Sequence, residues 1–267
     1  MNEKNTITIN SAIVYIIAFL LTTIIHESLH AIIGSFFESN PIIHHNYVEH
    51  LSIEHLTTNQ KTSIAFAGPL ISLIQGILSS GIYFNIRGKS HTLIHLFLLW
   101  FSVLGLFNFL GYLMTGFLFK NGDIGKVYGI LNTPFWIQIV LAIIAALLLV
   151  FVAYKITAPY LRFSYNKKWV ENGKSRKNFS FHVLFLPWVI GSLIITILYL
   201  PVIALISIIY PIMSGMIFIF PWQNSDSIKE VGISTNKGIG KLSLLGIGVL
   251  ILLTFMFKFI LAPGIEL

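Results

Sequence analysis

The sequence predicts an all-α, polytopic membrane protein with six or seven transmembrane helices, and three observations carry that prediction. Hydrophobic residues fill 55% of the 267 positions and charged residues only 10%, with a mean hydropathy of +0.83, far from a soluble globular domain. Apolar runs long enough to cross about 30 Å of hydrocarbon as helices recur along the whole chain. The basic residues, which give a net charge of +7, concentrate over residues 162–177 beside apolar runs. That is the pattern of a juxtamembrane loop attracted to anionic lipid, and it argues against nucleic acid as a partner.

The first run, residues 9–37, follows the polar start MNEKNTITIN and reads as a retained span, because no small-residue cleavage site follows it. Residues 63–84, 93–119 and 135–156 form the next three runs. The stretch 181–222 is too long for one crossing and is cut by Pro187, Pro201, Pro211 and Pro221, so it reads as two helices or one helix and a re-entrant turn. Residues 242–262 close the series. Between the first two runs, residues 38–61 are polar, and their Ile-Ile-His-His and Leu-Ser-Ile segments read as short interfacial strands. With no internal repeat, the chain reads as a single membrane-embedded domain over residues 1–267, with a core over about 10–130 and accessory spans over about 131–267.

Cysteine is absent, which excludes disulfides, thiolate zinc sites and a cysteine nucleophile and leaves His and carboxylates as the strong metal ligands. Within the first apolar run stands His26-Glu27-Ser28-Leu29-His30. Residues four apart share a helix face, so His26 and His30 can offer two imidazoles to one metal ion with Glu27 beside them. An ionised carboxylate in such a span costs on the order of 3 kcal/mol, so Glu27 requires a partner or a task. A hydrolytic zinc site keeps three protein ligands and one open position, and Glu27 then serves as the general base.

The next two helical turns offer no third ligand apart from Glu38, near the end of the run. Asp occurs only at positions 123 and 226, and Asp123 lies at the end of the third run, in FKNGDIG. Two crossings separate that end from His30, which puts both on one side of the membrane and makes Asp123 the candidate third ligand. The competing reading is a carboxylate that caps the next helix or pairs with Lys120 or Lys126. The Gly-Pro pair in AFAGPLISL, residues 65–73, either kinks the second span or lets another helix approach closely. Asn108 is an amide within the third span that holds either a substrate backbone or a neighbouring helix.

HESLH in the first span, AGPLISL in the second, and an Asn followed by Gly-Asp at the end of the third together resemble the site-2 protease family of membrane-embedded zinc metalloproteases. The resemblance covers roughly residues 10–130. It implies that His26, His30 and Asp123 bind Zn2+, that Glu27 is the catalytic base, and that Asn108 contacts substrate. It further implies that the substrate is a membrane protein cut within or near a transmembrane segment. The chain departs from the family's usual Asn-x-x-Pro and Leu-Asp-Gly, since no Pro follows Asn108 and Gly122 precedes Asp123.

Two other classes fit parts of the pattern. His44, His45, His50 and His55, with His91 and His95, resemble the His boxes of di-iron membrane desaturases and hydroxylases, a reading that gives Glu27 no task. A non-catalytic metal-binding membrane protein or transporter would use the same polar cluster to hold a cation without hydrolysis.

Overall fold

The computed structural model describes residues 2–86, 88, 91–200, 211–212 and 215–267. In chain order the elements are α1 (Glu3–Phe36), β1 (Pro41–Ile43), β2 (Val48–His50), α2 (Thr58–Ile86), α3 (Leu93–Thr115), α4 (Asp123–Ile130) and α5 (Phe135–Leu161). These are followed by α6 (Gly173–Leu198), α7 (Ile219–Asn224), α8 (Leu244–Leu261) and β3 (Ile265–Glu266). Among the described residues, six helices (α1, α2, α3, α5, α6 and α8) are long and apolar enough to cross a membrane. The chain is an all-α, multi-pass membrane protein. α1 is the most enclosed span, with 78% of its apolar window buried against 17% for α5 and for α8, so polar groups on α1 can be sheltered from hydrocarbon.

Several boundaries differ from those read in the sequence. α6 starts at Gly173 rather than near residue 181, because the Asn172 side chain caps it by accepting the Ser175 N–H at 2.9 Å. Lys174, Arg176 and Lys177 therefore lie on the helix and not in a loop. A π-helical turn over Phe181–Phe185 precedes Pro187, which has no N–H for the regular ladder. Pro201 lies outside the described residues. The first strand forms over Pro41–Ile43, but the second forms at Val48–His50 and not at Leu51–Ile53. A tight turn sets this register, with the His44 N–H donating to the Tyr47 carbonyl at 2.9 Å. Residues Ile265 and Glu266 supply a third strand, giving an antiparallel sheet of order β2-β1-β3.

The chain packs as two compact units. The first comprises Met1–Phe19, Leu78–Val103 and Val150–Leu252. Its core is Trp100, whose indole N–H donates to Ser11 Oγ at 3.0 Å and whose ring meets Tyr15, Tyr160 and Phe218 at centroid distances of 4.9, 5.0 and 5.2 Å. Ser11 Oγ in turn donates to the Val183 carbonyl at 2.7 Å, tying α1 to α6. Pro211, Trp222, Ser225 and Asp226 meet α6 at successively earlier positions, so these described residues lie antiparallel to it. The Pro211 carbonyl accepts from Ser192 Oγ, Trp222 packs on Phe185, and the Ser225 and Asp226 carbonyls accept from the buried Arg176 guanidinium.

The second unit comprises Leu20–Ile77, Leu104–Leu149 and Leu253–Leu267, and contains the three-stranded sheet. α2 begins in a capping box, in which the Thr57 N–H donates to Gln60 Oε1 at 2.9 Å and the Gln60 N–H to Thr57 Oγ1 at 3.4 Å. α2 and α3 then approach closely at small residues. A Cβ on Gly105 would stand 2.6 Å from the Ser72 carbonyl oxygen, so the two backbones meet without side chains between them.

Candidate metal centre

All the residues of the predicted site that carry metal or proton chemistry lie in the second unit. His26, Glu27 and His30 stand on the second half of α1 and are buried. Asp123 opens α4, directly after Gly122, which holds extended backbone at φ −75° and ψ 162°. This turn is built on Gly125, because a Cβ there would overlap the Phe119 carbonyl oxygen. The first turn of α4 thus lies against the end of the loop from α3 and turns Asp123 inward.

One oxygen of Asp123 meets both imidazoles. Its Oδ2 lies 2.9 Å from His26 Nε2 and 3.3 Å from His30 Nε2, and the two Nε2 atoms are 3.2 Å apart. The carboxylate neither caps α4 nor pairs with Lys120 or Lys126.

The proton positions follow from the outer contacts. Ser72 Oγ gives its one proton to the Gly68 carbonyl at 3.0 Å, so it accepts the Nδ1–H of His26 at 3.1 Å. His30 Nδ1 faces the Ile64 carbonyl at 2.6 Å, an oxygen that can only accept. Both neutral imidazoles therefore turn their Nε2 lone pairs inward, where Asp123 adds a third. Three converging lone pairs require a cation among them, either a metal ion or extra protons. The separations of 2.9, 3.2 and 3.3 Å lie at or a few tenths of an ångström below the ligand–ligand edge of about 3.3–3.6 Å that bonds of about 2.0–2.2 Å give around a tetrahedral ion. The donor set thus fits zinc, with His26, His30 and Asp123 as the residues that would hold it.

Three further residues complete the site without having been singled out as its parts. Tyr112 stacks on the His26 ring at 5.2 Å and 14°, and Ser72 and the Ile64 carbonyl fix the two imidazole tautomers, as outer partners of metal-binding histidines do. Their only sequence signal was spacing. Ser72 follows Gly68 by four positions, and Tyr112 follows Asn108 by four. Gly68 itself, from the Gly-Pro pair, faces the two histidines: a Cβ there would overlap Nε2 of both His30 and His26.

Glu27 is buried, takes no hydrogen bond from any described residue, and lies within electrostatic reach of His26, His30, Asp123 and Lys126. Asn108 is buried in α3, one helical turn before Tyr112 and on the same face. Glu38 ends α1 in the left-handed region at φ 58° and is not part of the cluster.

The remaining histidines do not assemble with carboxylates. Among the described residues, His26, His30 and Asp123 form the one group of three or more potential metal ligands. His44 stacks on Tyr47 at 4.3 Å, while His95 accepts the Thr92 N–H at 3.2 Å at the start of α3. Burial pushes His45 and His50 down to about 4, aided by the charge of Lys258 at His45 and of Lys126 at His50, so both rings are neutral near pH 7.

No protein-family model, curated protein or solved structure matches this chain.

Proposed function

We propose that the chain is a membrane-embedded zinc metalloendopeptidase of the HExxH type that hydrolyses peptide bonds of membrane protein substrates in or near the bilayer. The observation that carries this reading is the convergence of Asp123 Oδ2, from α4, with His26 Nε2 and His30 Nε2 of the first span, within 2.9–3.3 Å of one another and beside a buried Glu27 that makes no hydrogen bond to a described residue. It agrees with the resemblance of the three motifs to site-2 proteases.

Zinc, when bound, supplies a Lewis acid that acidifies a water molecule and polarises a carbonyl oxygen. The residues of the chain account for the rest. Glu27, with no hydrogen bond to hold it, takes the proton from the attacking water and returns it to the departing amine nitrogen. Asp123 is the most accessible ligand, its side chain 17% exposed against 2% and 8% for His26 and His30, so water and substrate approach from its side. Asn108 is assigned to the substrate backbone.

A helical substrate hides its carbonyls in its own hydrogen bonds and must unwind before it is cut. β2 offers the unwound stretch a pairing edge. In the observed register Tyr47, Glu49 and Leu51 bond towards β1, which leaves the backbone N–H and C=O of Val48 and His50 facing outward. Val48→Pro removes one outward N–H without touching the β1 ladder, and it should lower cleavage of a transmembrane substrate about tenfold with metal content unchanged. Cleavage at the wild-type rate would remove the strand edge from the mechanism.

Metal analysis of the purified full chain tests the central reading. About one equivalent of zinc is expected in the wild type and a small fraction of that in Asp123→Ala, because two imidazoles alone leave the tetrahedral site half filled. Two irons per chain, or full zinc retention by Asp123→Ala, would overturn it.

A further inference from the structure

The first unit carries an open cleft of about 280 Å³ lined by Lys174, Lys177, Asn178, Phe181 and Trp222. Positions 174, 177, 178 and 181 recur at helical spacing, so they form one wall along a single face of α6. Trp222 of α7 forms the other wall. Its indole N–H donates to the Lys177 carbonyl at 3.2 Å, and the Lys177 ammonium sits 5.3 Å from its ring centroid. Lys4, in the first turn of α1, reaches Asn178 Oδ1 at 2.5 Å and adds a third ammonium nearby. Among the described residues, no carboxylate lines the cleft.

The cleft is preformed. Arg176, on the adjacent face of α6, is buried and donates to the carbonyls of Val170, Ser225 and Asp226 at 3.2, 3.2 and 2.9 Å, which fixes the basic turns of α6 to the segment that follows Trp222. Its position along α6 is equally specific. The lysines belong to the polar turns GKSRKN, whereas Phe181 opens the apolar part that crosses the membrane. The ammonium groups thus lie at head-group level and the aromatic rings at the edge of the hydrocarbon. A free inorganic anion would use the lysines and gain nothing from the rings, and a purely apolar ligand would gain nothing from the lysines.

We propose that this cleft binds an anionic phospholipid, with the phosphate on Lys174 and Lys177 and the glycerol and upper acyl chain along Phe181 and Trp222. The site is independent of the metal centre and of the proteolytic reading.

The test is a lipid titration of the full-length protein by native mass spectrometry, with phosphatidylglycerol, phosphatidylcholine and inorganic phosphate as separate probes. One phosphatidylglycerol should be retained in preference to phosphatidylcholine. The Lys174→Gln/Lys177→Gln variant should bind it about 30-fold more weakly, from the loss of two ammonium contacts, while Lys174→Arg/Lys177→Arg keeps the wild-type affinity. Equal retention of phosphatidylcholine, unchanged binding by the glutamine variant, or displacement of the lipid by inorganic phosphate at matched concentration would each overturn the proposal. Lys174 is exposed and Lys177 half-buried, so the substitutions leave the core untouched.

Discussion

Glu27→Gln is expected to retain about one equivalent of metal and to lose peptide hydrolysis by a factor of about 10² to 10⁴, the usual contribution of a positioned general base. Glutamine matches the shape of the carboxylate but cannot take a proton from water. Because Glu27 is not among the three converging donors, the substitution leaves the ligand set intact. The outcome also separates the competing classes. A transporter or a metal-binding scaffold has no use for a base and would keep its function in the glutamine variant. A hydrolase keeps the metal and stops. Metal content and cleavage of a reconstituted transmembrane substrate, measured on the same preparation, decide it. Loss of the metal from Glu27→Gln would show that Glu27 belongs to the ligand set and would remove it as the base.

Gly68→Ala should cost the site its metal, lowering content to below about a tenth of wild type. Alanine is favoured over glycine inside a helix by about 1 kcal/mol, so the helix itself gains from this change. The loss comes from the tertiary contact. The added methyl occupies the space of both Nε2 atoms, and the imidazoles cannot yield freely because Ser72, Tyr112 and the Ile64 carbonyl hold them. Gly81, on the same helix, is the matched control. Nothing lies within 4 Å of a Cβ built there, so Gly81→Ala should keep full metal content. Wild-type metal binding by Gly68→Ala would show that the two helices separate readily and that the cluster is not rigid. Circular dichroism on both variants checks that helicity is preserved.

The two experiments address different levels of the same site. Glu27 is read from its position between two ligands four residues apart, and that spacing is purely local. Gly68 acquires its task only through packing. In the sequence its Gly-Pro pair has two explanations, a kink and a close approach, and the contacts of Gly68 bear out the close approach. Pro69 lies inside α2, where it withholds an N–H from the helical ladder, and Gly68 lets the backbone come up against the two histidines.

Helix ends were less legible than helix existence. Apolar length gives the spans, but the ends depend on capping. Asn172 extends α6 by two turns into a basic segment whose composition alone reads as loop. The strands show the same limit. Residues 38–61 announce extended chain, yet the register comes from the His44–Tyr47 turn, and the third strand comes from residues 265–266, more than two hundred positions away.

By itself the sequence determined the membrane class, the helical architecture and the pairing of His26 with His30, because each depends on composition or on periodicity within one element. Tertiary structure alone decided that Asp123 joins them, which nitrogen of each imidazole faces inward, and why residue 68 has no side chain. These depend on groups brought together from α1, α2, α3 and α4, and the energies that fix them, of steric overlap and of lone pairs converging within hydrogen-bonding distance, exist only once those helices have packed.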